Sequence, residues 1–153
     1  MRPIRRTERQ ITTEDALSVL EAAEYGILST VGEDNQPYGI PLSFAVMDGA
    51  IYFHCALEGH KLDNIAHNAK VSFCVVGKTK VLPNKFATEY ESTVVFGTAS
   101  KVEGAERHNA LLALLEKYSA DFMEEGKKYI AAKGSKTDVI KITIGHVTGK
   151  ARR

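Results

Sequence analysis

This chain predicts a mainly β fold with added helices (α+β): a six-stranded antiparallel β-barrel, closed or split, carrying helices at its periphery. Three observations carry that expectation. Six short segments are rich in β-branched and aromatic residues suited to a packed, pleated surface. The turns between the early ones are short, with Asp48-Gly49 set between two apolar runs, the strongest local hairpin signal. Strand–helix–strand units are too few for a doubly wound parallel sheet, which leaves small barrels as the economical architecture.

The elements follow in order. "MRPIRRTER" is a basic run, so residues 1–10 read as an N-terminal arm and residues 11–153 as a single domain. Thr12 and Asp15 suit a helix start ahead of an amphipathic stretch carrying Leu17, Leu20 and Ala23, with Tyr25-Gly26 as its end. A meander follows: "GILSTV", the polar turn "GEDNQP", "YGIPLSFAV", and then "AIYFHC". Pro41 inside the second of these strands points to an edge, a bulge, or a place where a ligand replaces a neighbour, because proline cannot donate to a ladder. A short helix over about Gly59–His67 leads into "KVSFCVV". The stretch "GKTKVLPNKFATEYE" reads as irregular and, at that length, as a segment that binds or covers something. A fifth strand, "STVVFGTASKV", precedes two helices, "AERHNALLALLEKYS" and "DFMEEGKKYIAAK", in which Leu111, Leu112, Leu114 and Leu115 form an apolar stripe for core or dimer packing. The last strand, "DVIKITIGHV", sets Ile140, Ile142 and Ile144 on one face against Lys141 and Thr143 on the other.

Composition bounds the function. With 153 residues the chain is long enough to bury roughly two-thirds of its unfolded surface. A formal net charge of +1 gives no global pull toward nucleic acid or membrane, and the basic termini read as solvated tails. No apolar run approaches the roughly 20 residues of a membrane-spanning helix, and no signal-peptide core is present. Cys55 and Cys74 are the only thiols, and nothing requires them to pair. The cytoplasm is the simplest compartment on this reading.

Chemistry concentrates in "IYFHCALEGHKLDNIAHN", where a strand runs into a helix through His54, Cys55, Gly59, His60 and Lys61. A phosphate site is one reading: a helix N-terminus presents free N–H groups and about half a positive charge, Gly59 admits close approach, and Lys61 and His60 add a charge and a donor. A metal site is another, from His54, Cys55, His60 and His67, but strand neighbours point to opposite faces and no zinc-type spacing is present. A third uses Cys55 as a nucleophile beside a histidine, which requires a thiolate held against a base. The plain alternative is a set of surface and strand-end residues.

A resemblance then adds to these readings. "AEYGILST", "PYGIPLSFAV", "GAIYFHCALEGHKLDNI", "KVSFCVVG", "KFATEYESTVVFGTA" and "HVTGKA" run in order from Glu24 to Ala151. Together they resemble the flavin-binding split-barrel superfamily, whose namesake is pyridoxamine 5′-phosphate oxidase, and within it the nitroimidazole-resistance (Nim-type) branch. The resemblance implies FMN at a homodimer interface, its phosphate held by Gly59, His60 and Lys61 with Asn64 one turn on. It implies that Pro41, Leu42 and Ser43 line the isoalloxazine ring, that His54 and Cys55 lie beside the flavin, and that Tyr90 and Ser92 approach from the partner subunit. His54 is the one candidate catalytic group, as proton donor or hydrogen-bonding anchor. The function so implied is an FMN-dependent oxidoreductase acting on a small molecule such as a nitroaromatic, with a flavin-binding redox sensor or flavin store as the alternative. Two departures argue against authentic pyridoxamine 5′-phosphate oxidation: Ile40 and Ala45 stand where that oxidase carries a phosphate-binding arginine and lysine, and the chain has no tryptophan.

Overall fold

A computed structural model describes residues 1–153. In chain order the elements are β1 (Gln10–Ile11), α1 (Thr13–Ala22), β2 (Gly26–Val31), β3 (Pro37–Leu42), β4 (Ala45–Met47), β5 (Ala50–Ala56), α2 (His60–His67), β6 (Lys70–Leu82), β7 (Ala87–Lys101), α3 (Gly104–Ser119), α4 (Met123–Lys133) and β8 (Thr137–Arg152). All strand pairs are antiparallel, and the sheet runs β3-β2-β6-β7-β8-β5-β4, with β1 on β8. Its two edges, β3 and β4, are consecutive in the chain and separated only by Ser43 and Phe44. The sheet therefore curls until its ends meet at a covalent bend rather than a hydrogen-bonded ladder, which is a split barrel.

The expected fold class holds, but the strand count rises from six to eight for physical reasons. The segment read as one strand, "YGIPLSFAV", breaks at Ser43-Phe44 into β3 and β4, because Phe44 turns inward and is fully buried. Gln10 and Ile11 add the short β1. The stretch expected to be irregular, Gly77–Glu91, is instead a continuation of the β6–β7 hairpin, closed by a tight turn at Pro83–Lys85. Its side chains are mostly exposed, so burial periodicity was missing there and only backbone pairing, from Thr79↔Tyr90 to Leu82↔Ala87, defines the arm. Pro41 does lie on an edge strand, opposite Ile27 with no neighbour beyond.

The helix start at Thr12 is realised as expected: its hydroxyl accepts the Asp15 N–H at 3.1 Å. The helix ends earlier than Tyr25-Gly26, at Ala22. Gly26 opens β2 instead, where a Cβ would come within 2.3 Å of the Phe73 ring, so only glycine lets β2 lie this close to that ring.

Two apolar clusters result. The barrel interior is filled by Leu28, Phe44, Phe53, Phe73, Val95 and Ile142 among others, and α1 closes one end with Val19 and Leu20. Phe44 and Phe73 meet edge to face with centroids 4.9 Å apart. The second cluster lies outside the barrel, where Tyr52, Val102 and Val139 pack on Ala110 and Leu111 of α3. β5 is thus covered on both faces, with Phe53 and Cys55 pointing into the barrel and Tyr52 packed against α3. That alternation puts His54 on the outer, helix-facing side.

Candidate functional site

The N-terminus of α2 is open. Gly59, its N-cap, has φ +149°, and a Cβ built there would meet nothing within 4 Å. No side chain caps the helix, so the N–H groups of its first turn remain available to an anion. Lys61, half-buried, and His60, exposed, sit in that turn. His60 is fixed by stacking on Tyr38 of β3, with centroids 3.9 Å apart and planes 24° from parallel.

Asn64, expected to join the phosphate site, is committed elsewhere: it is buried, and its amide donates to the Thr30 hydroxyl at 3.0 Å. It pins α2 to β2 and so sets where the helix start points. A hollow of about 760 Å³ runs along the flank of the same helix past Asn64 and His67. It carries Glu33, Asp34 and Asp63, three carboxylates that repel a phosphate dianion. Of the two places, the helix start beside Lys61 is electrostatically the better suited to an anion.

The His60–Tyr38 stack ties the α2 start to the edge strand that carries Pro41 and Leu42 and runs into Ser43 at the bend. Ser43 and His54 line one cavity. His54 also feels Lys61: although its side chain is exposed, the desolvation imposed by the surrounding packing, and then the Lys61 charge, hold the imidazole below its usual range. A neutral imidazole that can accept or relay a proton is the result.

Cys55 departs from expectation. It belongs to the barrel core, and burial pushes its thiol up, with Lys61 opposing and Asp138 reinforcing. A protonated thiol facing the interior can neither attack nor touch a ligand on the outer face, which removes the nucleophile reading. No three His, Cys, Asp or Glu side chains stand close enough to hold a metal ion.

Tyr90 and Ser92 are not brought to this site within one chain. Tyr90 pairs with Thr79 and Arg152, and Ser92 with Val76 and Lys150. His54 pairs with Val139, at the opposite end of β8.

Two residues escaped the sequence reading. At the bend between β3 and β4, the Lys117 ammonium donates to the Phe44 carbonyl at 2.9 Å and lies 3.7 Å from the Phe44 ring centroid. The Tyr118 hydroxyl accepts the Phe44 N–H at 3.0 Å and points its proton at the Glu24 and Phe44 carbonyls. Burial holds the Lys117 ammonium below its usual range, with Glu21 opposing. These two side chains of α3 fix the backbone next to Ser43. In sequence they look like the polar end of an amphipathic helix, and no local signal marks them.

Comparison with known proteins agrees with this fold. The sequence profile of the pyridoxamine 5′-phosphate oxidase family matches residues 12–151. No curated protein matches the chain significantly in sequence. Among solved structures, a conserved hypothetical protein of Mycobacterium tuberculosis, Rv2991, shares 20% identity over 99% of this chain and 91% of its own, with a TM-score of 0.84. A Bacteroides thetaiotaomicron protein provisionally assigned to 5-nitroimidazole antibiotic resistance shares 19% identity over 92% of this chain and 85% of its own, at a TM-score of 0.74. A FAD-binding protein from Mesorhizobium loti shares 22% identity over 95% of this chain and 98% of its own, at a TM-score of 0.68. At these identities the likeness is one of fold.

Proposed function

The chain belongs to the pyridoxamine 5′-phosphate oxidase family, and on that footing we propose that it is an FMN-binding oxidoreductase of the nitroimidazole-resistance type, acting on a small organic molecule such as a nitroaromatic, rather than an authentic pyridoxamine 5′-phosphate oxidase. The observation that carries the reading is the uncapped helix start at Gly59, with His60 and Lys61 in its first turn and the neutral His54 close enough to feel the Lys61 charge. The residues suit the group. Free N–H donors and one ammonium match a phosphate tail, and the edge strand at Pro41–Ser43, unpaired on its outer side, offers backbone groups to a planar ring. When bound, the flavin supplies the redox chemistry.

The chain's own residues do the rest. Gly59, His60 and Lys61 hold the phosphate, Tyr38 keeps His60 in place, and Lys117 and Tyr118 fix the bend that ends the ring-lining strand. His54 holds or delivers a proton at its imidazole nitrogen on the face open to substrate. The site is completed in a homodimer, with Tyr90 of the partner subunit and Ser92 of the partner subunit closing over the ring. The distance of those two residues from His54 within one chain supports a second copy, as does the protruding β6–β7 arm with Val81 and Phe86 exposed.

The test is direct. The expected result is that purified protein is yellow and that the extracted pigment is FMN. Under anaerobic conditions NADH or NADPH bleaches it, and a nitroimidazole restores the colour. A colourless protein that takes up no flavin overturns the reading. Bleaching without reoxidation by any small organic acceptor reduces it to the sensor or store.

A further inference from the structure

The outer face of β5 does more than seat Tyr52. Between it and the α3–α4 pair lies a second cavity of about 390 Å³, within the range of small-molecule sites, about 300–1,000 Å³. Leu111, Leu114 and Leu115 of α3 and Ile130 of α4 line its apolar part. His54, Ser43, Ser119 and Thr137 are among its polar residues, and neither the His54 nor the Ser43 side chain hydrogen-bonds within the chain. Lys133, at the end of α4, is the one charged residue in the lining, which includes no carboxylate. Lys133 takes no part in the seven ion pairs of the chain. The rim is held in place, because the Arg107 guanidinium donates to the Gly134 carbonyl and, at 2.8 Å, to the Thr137 carbonyl.

We propose that this cavity is the substrate site and that it takes an apolar, flat organic anion, such as an aromatic carboxylate or sulfonate. Apolar walls favour a hydrocarbon or aromatic body, while an ammonium outside any ion pair, in a lining without carboxylates, favours one negative charge on it. The polar hollow beside α2 has the opposite character, with three carboxylates and one apolar residue in its lining. Naming the occupant a substrate rests on the flavin reading above, since Ser43 and His54 are the residues that join the cavity to that site. Binding of the anion does not rest on it.

The experiment uses flavin-loaded protein titrated with anilinonaphthalene sulfonate and, in parallel, with uncharged phenylnaphthylamine, following probe fluorescence and flavin absorption together. The sulfonate is expected to bind one-to-one and to shift the flavin band without releasing flavin. Lys133→Gln weakens the sulfonate about tenfold, the scale of one charge-assisted contact, and leaves the neutral probe within about twofold. Thr137→Trp, which fills the cavity from β8, removes both probes. Sulfonate binding indifferent to Lys133→Gln overturns the proposal, and that exposed position keeps the test valid even if Thr137→Trp fails to fold. Stoichiometric release of flavin also overturns it, because the cavity then holds the ring. Protein that takes up no flavin yet binds the sulfonate with both sensitivities upholds the cavity and removes the flavin reading instead.

Discussion

Replacing Lys61 by alanine separates the two things its ammonium does. Half-buried at the first turn of α2 and used in none of the chain's ion pairs, it is free to meet a phosphate. A hydrogen bond to a charged partner contributes about 1.5–3 kcal/mol, so Lys61→Ala weakens flavin binding about 10- to 150-fold. The open amides at Gly59 and the His60 donor remain, which keeps residual affinity measurable by fluorescence quenching of titrated FMN. The same change acts on His54. Burial and the Lys61 charge together depress that imidazole; removing the charge moves its titration part-way back toward 6.5, and burial still keeps it below. Histidine ring proton shifts followed against pH read this directly. Unchanged FMN affinity would show that the phosphate docks elsewhere, whatever His54 does. Unchanged His54 titration would break the link between α2 and the outer face of β5. His67→Ala, at the far end of the same helix, is the matched control and alters neither.

His54→Ala slows single-turnover reoxidation of the reduced flavin by acceptor while leaving FMN bound; turnover at the parent rate removes His54 from the chemistry. Lys117→Met deletes the charge-assisted bond to the Phe44 carbonyl and the contact with its ring, at a cost of about 2–3 kcal/mol in urea unfolding, with a parallel loss of flavin affinity; loss of stability with full affinity would limit Lys117 to packing. Gly26→Ala pushes a methyl group into the Phe73 ring, 2.3 Å from the new Cβ, and lowers stability by about 1–3 kcal/mol; a thermal midpoint equal to the parent's would contradict the close packing of β2. For pH, the depressed His54 means that the unfolded chain binds more protons than the folded one. Its share of stability is present above 6.5 and is lost as pH falls through the folded-state value. His54→Gln therefore flattens the acid side of the stability profile, and a profile identical to the parent's refutes the assignment.

Much of this was legible in the sequence because it depends on local rules. The Thr12 cap, the alternation of Ile140 and Ile142 against Thr143, and the glycine-led start of α2 each follow from backbone chemistry acting within a few residues. The edge position of Pro41 follows from its missing N–H. What stayed hidden depends on contacts between residues far apart in the chain. The exposed β6–β7 arm has no burial pattern to announce it, and its pairing is set by the partner strand alone. Asn64 looked like a ligand because it shares the helix with Lys61, yet Thr30, 34 residues earlier, claims its amide. Cys55 looked like a site residue because it neighbours His54; strand alternation, applied to both faces of β5, sends it into the core.

That two-faced strand explains why one short segment carries so much. A strand in an ordinary sandwich buries one face and shows the other to water. β5 is covered inside by the barrel and outside by α3, so only its end, past Phe53, emerges from packing. His54 is the outward residue at that point; it lines the cavity under α3 and α4 and feels the charge of Lys61 at the start of α2. The bend at Ser43-Phe44 closes the same corner, and it is held by α3 through Lys117 and Tyr118 rather than by a neighbouring strand. A barrel sealed by ladder bonds along its whole seam would have no unpaired backbone there to offer a ring. The helix that roofs the cavity therefore also fixes the seam, and a ligand wedged under α3 should be felt at Ser43. A Tyr118→Phe variant tests that coupling: it removes the acceptor of the Phe44 N–H and should weaken flavin binding without touching any group placed against the flavin. Flavin affinity equal to the parent's, in a protein shown to be folded, would mean that the seam holds its shape without α3.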